Sequence, residues 1–283
     1  MRAAEAILSP FTASDGENIA LRDWPLPYGV VQRGMVVLVH GLGEHAGRYG
    51  QLASRLNAWG YAVRGYDQYG HGESSGPRGS LPATARLIED LADVLESTRP
   101  RVGTGAPLIL LGHSLGGLVA ASLVARNGAG VDALVLSSPA FAAGLSGFQK
   151  LLVATLPRVA PNLAVGNGLD PRFLSHDPAV VAAYREDPLV HDRISGRLAA
   201  FIAEQGPQVV RQAGAWKVPT LLLYAGADRL VDPQGSRAFA AAAPAGVVTA
   251  HCFEPLFHEI FNEQGNEPVF ERLRQWLGER FGA

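Results

Sequence analysis

One serine of this 283-residue chain lies in a pattern that could make it a nucleophile. The pentapeptide Gly112-His113-Ser114-Leu115-Gly116 follows the apolar run Leu108–Leu111 and precedes a helical pattern over Leu115–Arg126. In a G-x-S-x-G turn between a strand and a helix, the serine projects from a sharp bend, and the two glycines avoid a collision between the elements. The chemistry that this pattern predicts is acyl transfer, with the Ser114 hydroxyl as the nucleophile.

A serine nucleophile needs a base and an acid that orients the base, and this acid follows the serine along the chain in folds with such a turn. Asp228 stands after the predicted strand Thr220–Tyr224, at the carboxyl edge where open parallel sheets place their sites. The alternative is Asp232, which directly precedes Pro233 and is better suited to cap a helix. We therefore expect Asp228 to be the orienting acid.

The general base should be a histidine near the end of the chain. His258 lies in the loop after the last predicted strand, Val247–Phe253, where an imidazole could reach Ser114. The alternative, His251, lies inside that strand, where a structural role is expected. The histidines that precede the serine violate the chain order, so we expect His258 to be the base.

Two backbone N–H groups should stabilise the oxyanion that forms during acyl transfer. One belongs to Leu115, directly after the serine. The other should come from the loop His40–Gly43, which follows the buried-strand pattern Met35–Val39, and we assign it to Leu42. The glycines of this loop allow it to fold back over the edge of the sheet.

Apolar runs and helical patterns alternate along most of the chain, which predicts an α/β fold with a mostly parallel central sheet flanked by helices. A hairpin around Asp15-Gly16 opens the chain. The strand pattern stops between about residues 140 and 212, where prolines and short helical patterns replace it. We therefore predict a core formed by residues 1–139 and 213–283, with a helical insertion at 140–212 that emerges above Ser114.

Composition excludes several classes of function. The formal net charge is −2 and no run of lysine or arginine forms a basic face, so we expect no nucleic-acid partner. Cys252 is the single cysteine and cannot form an intramolecular disulfide. The N-terminus is a poor signal peptide and no apolar run approaches about 20 residues, so we expect a cytoplasmic protein. Without metal-ligand spacing or a dinucleotide fingerprint, we expect neither a metal nor a cofactor.

Five segments resemble the motifs of monoacylglycerol lipases and related bacterial lysophospholipase-like hydrolases. They are His40–Tyr49 (HGxGEHxxRY in that family), Asp67–Gly76 (DxxGHGxSxG), Gly112–Gly117 (GHSxGG), Gly226–Asp232 (GxxDxxV) and His258–Glu263 (HExxNE). The match extends from about residue 10 to the C-terminus. The resemblance implies the α/β-hydrolase fold, the triad and oxyanion donors assigned above, and a lipid-facing cap at the insertion.

The same resemblance gives a role to Tyr184, because the segment Tyr184–Leu189 is similar to a cap segment near the head-group pocket of the family. Within the insertion, Phe148–Pro157 is apolar on more than one helical face, which a small cap cannot bury completely. We expect Leu152 and Leu156 in this segment to contact the acyl chain of a substrate. Such a surface would also allow transient contact with a membrane. The alternative to both contacts is that these residues only pack the cap onto the core.

The function expected from these features is hydrolysis of small acyl esters or lipids, monoacylglycerols above all, through an acyl-enzyme on Ser114. Other serine chemistry on the same fold remains open: lysophospholipase, short-chain carboxylesterase, peptidase or perhydrolase activity. A binding protein that kept the fold without catalysis is a further alternative, although all three triad residues are present. The sequence leaves the oligomeric state open.

Overall fold

The computed structural model describes residues 6–126, 130–142 and 159–282. These ranges contain ten β-strands: β1 (Ile7–Thr12), β2 (Asn18–Trp24), β3 (Gly34–Val39), β4 (Tyr61–Tyr66), β5 (Leu108–His113), β6 (Ala133–Ser137), β7 (Ala164–Gly166), β8 (Arg193–Ser195), β9 (Thr220–Ala225) and β10 (Val248–Phe253). They also contain seven α-helices: α1 (Gly50–Ala58), α2 (Arg86–Thr98), α3 (Leu115–Ala125), α4 (Pro178–Glu186), α5 (Gly196–Gln212), α6 (Pro233–Ala242) and α7 (Glu267–Phe281). None of these seven helices is long and apolar enough to cross a membrane.

The main sheet contains eight of the strands, in the order β1-β2-β4-β3-β5-β6-β9-β10. Strands β1 and β2 form an antiparallel hairpin, and β2 also pairs antiparallel with β4. The other pairs in this sheet are parallel, so the carboxyl ends of their strands share one edge. The predicted opening hairpin and the mostly parallel central sheet are confirmed.

Helices cover both faces of the sheet, because alternate residues of each central strand point to opposite sides. In β3, Val37 packs in a cluster with helices α2, α3, α5 and α6, whereas Leu38 packs in a second cluster with α1 and α7. Every residue of β3 and of β5 is buried. Strands buried on both faces are continuously apolar, which explains the uninterrupted apolar runs in the sequence.

Helix α2 begins later than its apolar spacing predicts. That spacing predicts a helix over residues 81–98, but α2 starts at Arg86, and bends and turns precede it. The carbonyl oxygen of Leu81 accepts a hydrogen bond from the Arg197 side chain at 2.9 Å. Leu81 is fully buried, so its place in the pattern comes from core packing outside a helix.

The described residues of the segment from 140 to 212 contain more regular structure than the sequence predicts. Strands β7 and β8 pair antiparallel within it, although no strand is expected there. Each has three residues, which is too short for an alternating apolar pattern to appear. At the end of the segment, Leu198 and Phe201 of α5 belong to the same hydrophobic cluster as helix α3. Helix α5 therefore packs this segment against the main sheet and its helices.

Candidate active site

The turn between β5 and α3 holds Ser114 in an unusual backbone conformation. Its φ is 52° and its ψ is −118°, a combination that residues with a side chain rarely adopt. Main-chain hydrogen bonds fix the turn: Ser114 N–H donates to the Ser137 carbonyl at 2.9 Å, and the Ser114 carbonyl accepts from Ala140 N–H at 3.1 Å. The chain at the end of β6 therefore supports the bend at Ser114.

The glycines on either side of Ser114 stand where no side chain fits. A Cβ atom at Gly112 would lie 2.4 Å from the carbonyl oxygen of Gly116. A Cβ atom at Gly116 would lie 2.2 Å from the carbonyl oxygen of Val39 in β3. Both distances are far below van der Waals contact, so the steric reason for the G-x-S-x-G pattern applies in this turn.

An aspartate–histidine pair lies at the carboxyl edge of the sheet. Asp228 follows β9 and His258 follows β10, and a 2.6 Å hydrogen bond joins Asp228 Oδ2 to His258 Nδ1. The other oxygen, Asp228 Oδ1, accepts from the N–H groups of Leu230 and Val231 at 2.9 and 3.0 Å. The two side chains are only 3% and 5% exposed, so the pair is shielded from water.

The two partners shift each other's pKa in the directions expected of an ion pair. Burial alone would raise the pKa of Asp228, but His258 and the hydrogen bonds to the carboxylate hold it below its ordinary value. Burial alone would lower the pKa of His258, but the Asp228 carboxylate outweighs this effect and raises it above the ordinary 6.5. An imidazole in this setting can accept a proton, and its cation is stabilised by the carboxylate.

The alternative acid and base occupy structural positions. Asp232 caps helix α6, because its Oδ1 accepts from Gln234 N–H at 2.9 Å. His251 lies within β10, where its ring packs against Phe253 with 4.5 Å between ring centroids. His251 is not among the residues that line the cavity containing Ser114, whereas His258 is.

The loop after β3 lies directly against the turn of Ser114. A Cβ atom at Gly41 would approach the Cβ of Ser114 to 3.3 Å. Glu44 fixes this loop, since its Oε1 accepts from the Gly41 N–H at 2.6 Å. Leu42 and Leu115 line the same cavity as Ser114. The structure thus brings the two residues expected to donate backbone N–H groups to the side of the serine.

A buried cluster of charged and phenolic groups adjoins this loop, and the sequence did not predict most of its contacts. Arg48 forms two hydrogen bonds to the Glu259 carboxylate, at 2.7 and 2.9 Å, and it also bonds to Glu44. Tyr49 O–H donates to Glu44 at 2.5 Å. The Arg48 guanidinium lies 4.8 Å from the centroid of the Tyr184 ring. Opposite charges four residues apart, at Glu44 and Arg48, are the sequence feature that could have identified this cluster.

The charge states around the pair follow from burial and from these contacts. Burial alone would raise the pKa of Glu44, but Arg48 outweighs it and lowers the pKa to about 2. The ring of His113 lies 4.7 Å from that of His258, and burial lowers the pKa of His113 to about 4. Near neutral pH, Glu44 is therefore ionised and His113 is neutral.

A cavity of about 360 Å³ brings these groups together. Its lining includes five residues that the sequence analysis singled out, namely Leu42, Ser114, Leu115, Tyr184 and His258. The insertion contributes much of the apolar wall, including Val165, Leu169, Leu174, Ile194, Ala199 and Ile202. The other two predicted contacts, Leu152 and Leu156, lie outside the described residues.

Comparison with known proteins gives relatives that match over nearly the whole chain. The monoacylglycerol lipase of Mycolicibacterium smegmatis is 37% identical over 257 residues, which are 87% of this chain and 88% of that protein. The crystal structure of the Paleococcus ferrophilus monoacylglycerol lipase is 34% identical, with a TM-score of 0.81, and covers 98% of this chain and 99% of that one. An uncharacterized abhydrolase domain-containing protein of Dictyostelium discoideum is 32% identical over 96% of this chain, which spans only 29% of that longer protein.

These similarities confirm the fold and the class predicted from the motifs. The resemblance to monoacylglycerol lipases is confirmed, as is the prediction of a serine hydrolase that cleaves esters. The α/β-hydrolase fold is confirmed by the same neighbours. A family model described as serine aminopeptidase, S33, matches residues 31–265. The chain therefore belongs to this family of serine α/β-hydrolases.

Proposed function

We propose that this protein hydrolyses monoacylglycerols or closely similar small acyl esters. The observation that carries the proposal is the cavity, which combines Ser114 and His258 with a few polar groups and an apolar wall. A monoacylglycerol has one acyl chain, which suits an apolar wall, and one glycerol group, which suits polar partners such as Glu44 and Tyr184. The two relatives named monoacylglycerol lipases support this substrate class.

In the proposed first half-reaction, the Ser114 hydroxyl attacks the ester carbonyl carbon while His258 accepts its proton. Asp228 holds the imidazole in the required tautomer and stabilises its cation. The backbone N–H groups of Leu42 and Leu115 donate to the oxyanion of the tetrahedral intermediate. As this intermediate collapses, the bond to the alcohol breaks and His258 returns its proton to the departing oxygen, which leaves the acyl group on Ser114.

The second half-reaction repeats these steps with water in place of serine. His258 accepts a proton from the water as the water oxygen attacks the acyl carbonyl. The oxyanion forms again beside Leu42 and Leu115. Collapse of this second intermediate breaks the bond to Ser114, returns the proton to its oxygen and releases the fatty acid.

The proposal includes residues 140–212 as a cap over this site, with Tyr184 near the alcohol group of the substrate. Two contacts between the insertion and the loop after β3 support it. His191 N–H donates to the Gly43 carbonyl at 2.8 Å, and Asp187 Oδ2 lies 2.8 Å from His45 Nε2. Contacts of the acyl chain with Leu152 and Leu156, and transient contact of the cap with a membrane surface, belong to the same proposal.

The proposal is tested by a hydrolysis panel on the purified protein. The panel contains monoacylglycerols of several chain lengths, diacylglycerols, lysophospholipids, p-nitrophenyl esters and an aminoacyl p-nitroanilide. We expect the highest kcat/KM with a monoacylglycerol. A higher kcat/KM with lysophospholipids would replace the proposed substrate class, and a higher value with the anilide would replace the reaction by peptidase chemistry.

The role of Ser114 is tested in the same panel. Ser114→Ala should reduce kcat by about 10⁴- to 10⁶-fold without changing thermal unfolding, because it removes the nucleophile alone. Ser122→Ala is a matched control, since Ser122 is a buried serine of the adjacent helix α3. Full activity in folded Ser114→Ala would show that another group is the nucleophile.

A further inference from the structure

The loop that carries His258 is joined to the insertion at the buried carboxylate of Glu263. We call this contact, formed by Glu263 with Phe257, Ser175 and His176, the joint. Its Oε1 accepts from Phe257 N–H at 2.7 Å, on the His258 side of the joint. Its Oε2 accepts from His176 N–H at 2.8 Å and lies 3.1 Å from Ser175 Oγ, on the insertion side. The Glu263 side chain is 0% exposed. This carboxylate therefore connects two segments that are distant in sequence.

Other contacts run across the same joint. His176 Nδ1 lies 2.7 Å from Glu263 Oε1, and the His176 ring stacks on Phe257 with 3.7 Å between centroids. Along the main chain, Glu259 N–H donates to the Leu174 carbonyl at 2.8 Å. Phe257 thus stacks on the insertion and Glu259 donates a hydrogen bond to it, whereas the side chain of His258 bonds to Asp228.

The site at Glu263 suits an ionised carboxylate and no other side chain of its size. A carboxylate has two oxygens that only accept hydrogen bonds, and donors converge on both of them here. Burial alone would raise the pKa of Glu263, but the hydrogen bonds from Phe257, His176 and Ser175 hold it below its ordinary value. A glutamine would place an NH₂ group against at least one of these donors.

We propose that Glu263 is a positioning residue for the proposed base: it fixes His258 by bonding the loop of the histidine to the insertion. This inference rests on the proposed function, because it assumes that His258 accepts the proton of Ser114. Glu263 itself is not among the residues that line the cavity. Its effect on the reaction therefore passes through the position of the imidazole.

The test compares Glu263→Gln with Glu267→Gln in the purified full chain. Glu267 is a matched control because its side chain is 55% exposed and bonds to Arg55, away from the joint. For Glu263→Gln we expect kcat on a short ester to fall about 100-fold with KM unchanged, since a displacement of about 1 Å has this effect on a reacting group. The rate of Ser114 labelling by a fluorophosphonate should fall by the same factor. A purely stabilising role would lower the unfolding temperature and leave both rates unchanged.

A second variant keeps the test decisive if Glu263→Gln does not fold. The double variant Ser175→Ala, His176→Ala retains Glu263 and its backbone donors Phe257, His176 and Gln264. It removes the two side-chain partners and the ring that stacks on Phe257. Its kcat should fall about tenfold. The inference is overturned if kcat in the folded variants stays at the level of Glu267→Gln. If the wild-type protein shows no hydrolysis that depends on Ser114, the proposed function fails, and the inference fails with it.

Discussion

The Ser114 turn and the His258 loop are held in place by different kinds of contact. Ser114 is fixed by main-chain contacts, through hydrogen bonds to Ser137 of β6 and to Ala140 just after it, and through the close passage of Gly116 past Val39. The loop of His258 is fixed by side chains and carbonyl groups from the insertion, with Glu263 at the joint. The Ser114 turn thus depends on main-chain contacts around the ends of β3 and β6, whereas the proposed base depends also on side chains of the segment 140–212.

This difference has a consequence for how the two groups respond to change. A backbone turn inside a parallel sheet has little freedom to adjust, so a perturbation there should affect folding before it affects rate. A loop fixed by side chains can shift by a fraction of an ångström while the fold persists, so a perturbation there should affect rate before folding. Variants in each region can therefore separate the two types of support.

The largest effect is expected at Gly116, where helix α3 passes close to the end of strand β3. Gly116→Ala would place a methyl group 2.2 Å from the carbonyl oxygen of Val39, the last residue of β3, and 2.4 Å from that of His40, the next residue. We expect the free energy of unfolding to fall by about 3 kcal/mol or more, with loss of activity. Urea unfolding measures this change.

Gly278→Ala provides the control for that measurement. Gly278 lies in helix α7, where a Cβ atom would meet no atom within 4 Å. This substitution should raise the free energy of unfolding by up to about 1 kcal/mol, because alanine is favoured over glycine in a helix. Equal stability of the two variants would contradict the conclusion that no side chain fits at Gly116 in the Ser114 turn.

The contrast between the two regions also explains how much the sequence could predict. The Ser114 turn depends on residues that are adjacent in sequence and on apolar strands such as Met35–Val39, so its form follows from local patterns. The joint at Glu263 depends on Ser175 and His176, which are 88 and 87 residues away and share no pattern with it. No periodicity or spacing within either segment indicates such a pairing.

The same reasoning applies to the fold and to the rest of the site. The α/β-hydrolase fold is predictable because strands buried on both faces leave long apolar runs. The three-residue strands β7 and β8 are not, since they are too short to show an alternation. The motifs contain Glu44, Arg48 and Glu259, but only the folded chain shows that Arg48 bonds to both carboxylates. The roles assigned to Ser114 and His258 stay predictions, which Ser114→Ala tests for the serine and Asp228→Asn and the pH profile test for the histidine.

The next effect is a fall in kcat without loss of the fold, and it is expected at Asp228, which bonds to His258. Asp228→Asn should lower kcat by about 10⁴-fold with the fold intact, because an amide cannot hold the imidazole in the required tautomer or stabilise its cation. Asp232→Asn should leave kcat near the wild-type value, since asparagine caps a helix about as well as aspartate. Steady-state kinetics on a p-nitrophenyl ester distinguishes the two. The reverse result would assign the orienting role to Asp232.

An effect that depends on the chain length of the ester is expected from the apolar side of the cavity that helix α5 lines. Ala199 of α5 lines the cavity, and Ala199→Phe should shorten the space open to an acyl chain. Each methylene excluded from the cavity costs about 0.8 kcal/mol, or about fourfold in kcat/KM, so long-chain esters should lose far more than acetate esters. Glu204→Phe adds the same side chain on the exposed side of the same helix and should change neither. An equal loss for both chain lengths in Ala199→Phe would show that α5 does not contact the acyl chain.

The smallest effect, at most tenfold per pH unit, is the loss of activity at low pH. His258 must be neutral to accept a proton, and its pKa is raised above 6.5 by the Asp228 carboxylate against the opposing effect of burial. Activity should therefore be present above this raised pKa and should fall as the pH decreases through it, with a midpoint above 6.5 in kcat/KM. Two titratable groups near the imidazole, Glu44 and His113, should not obscure this limb, because their pKa values are about 2 and about 4. The profile is measured with an uncharged ester, and tryptophan fluorescence verifies that the protein stays folded at each pH. A midpoint below 6, in protein that is still folded, would mean that the group which accepts the proton is not held beside Asp228.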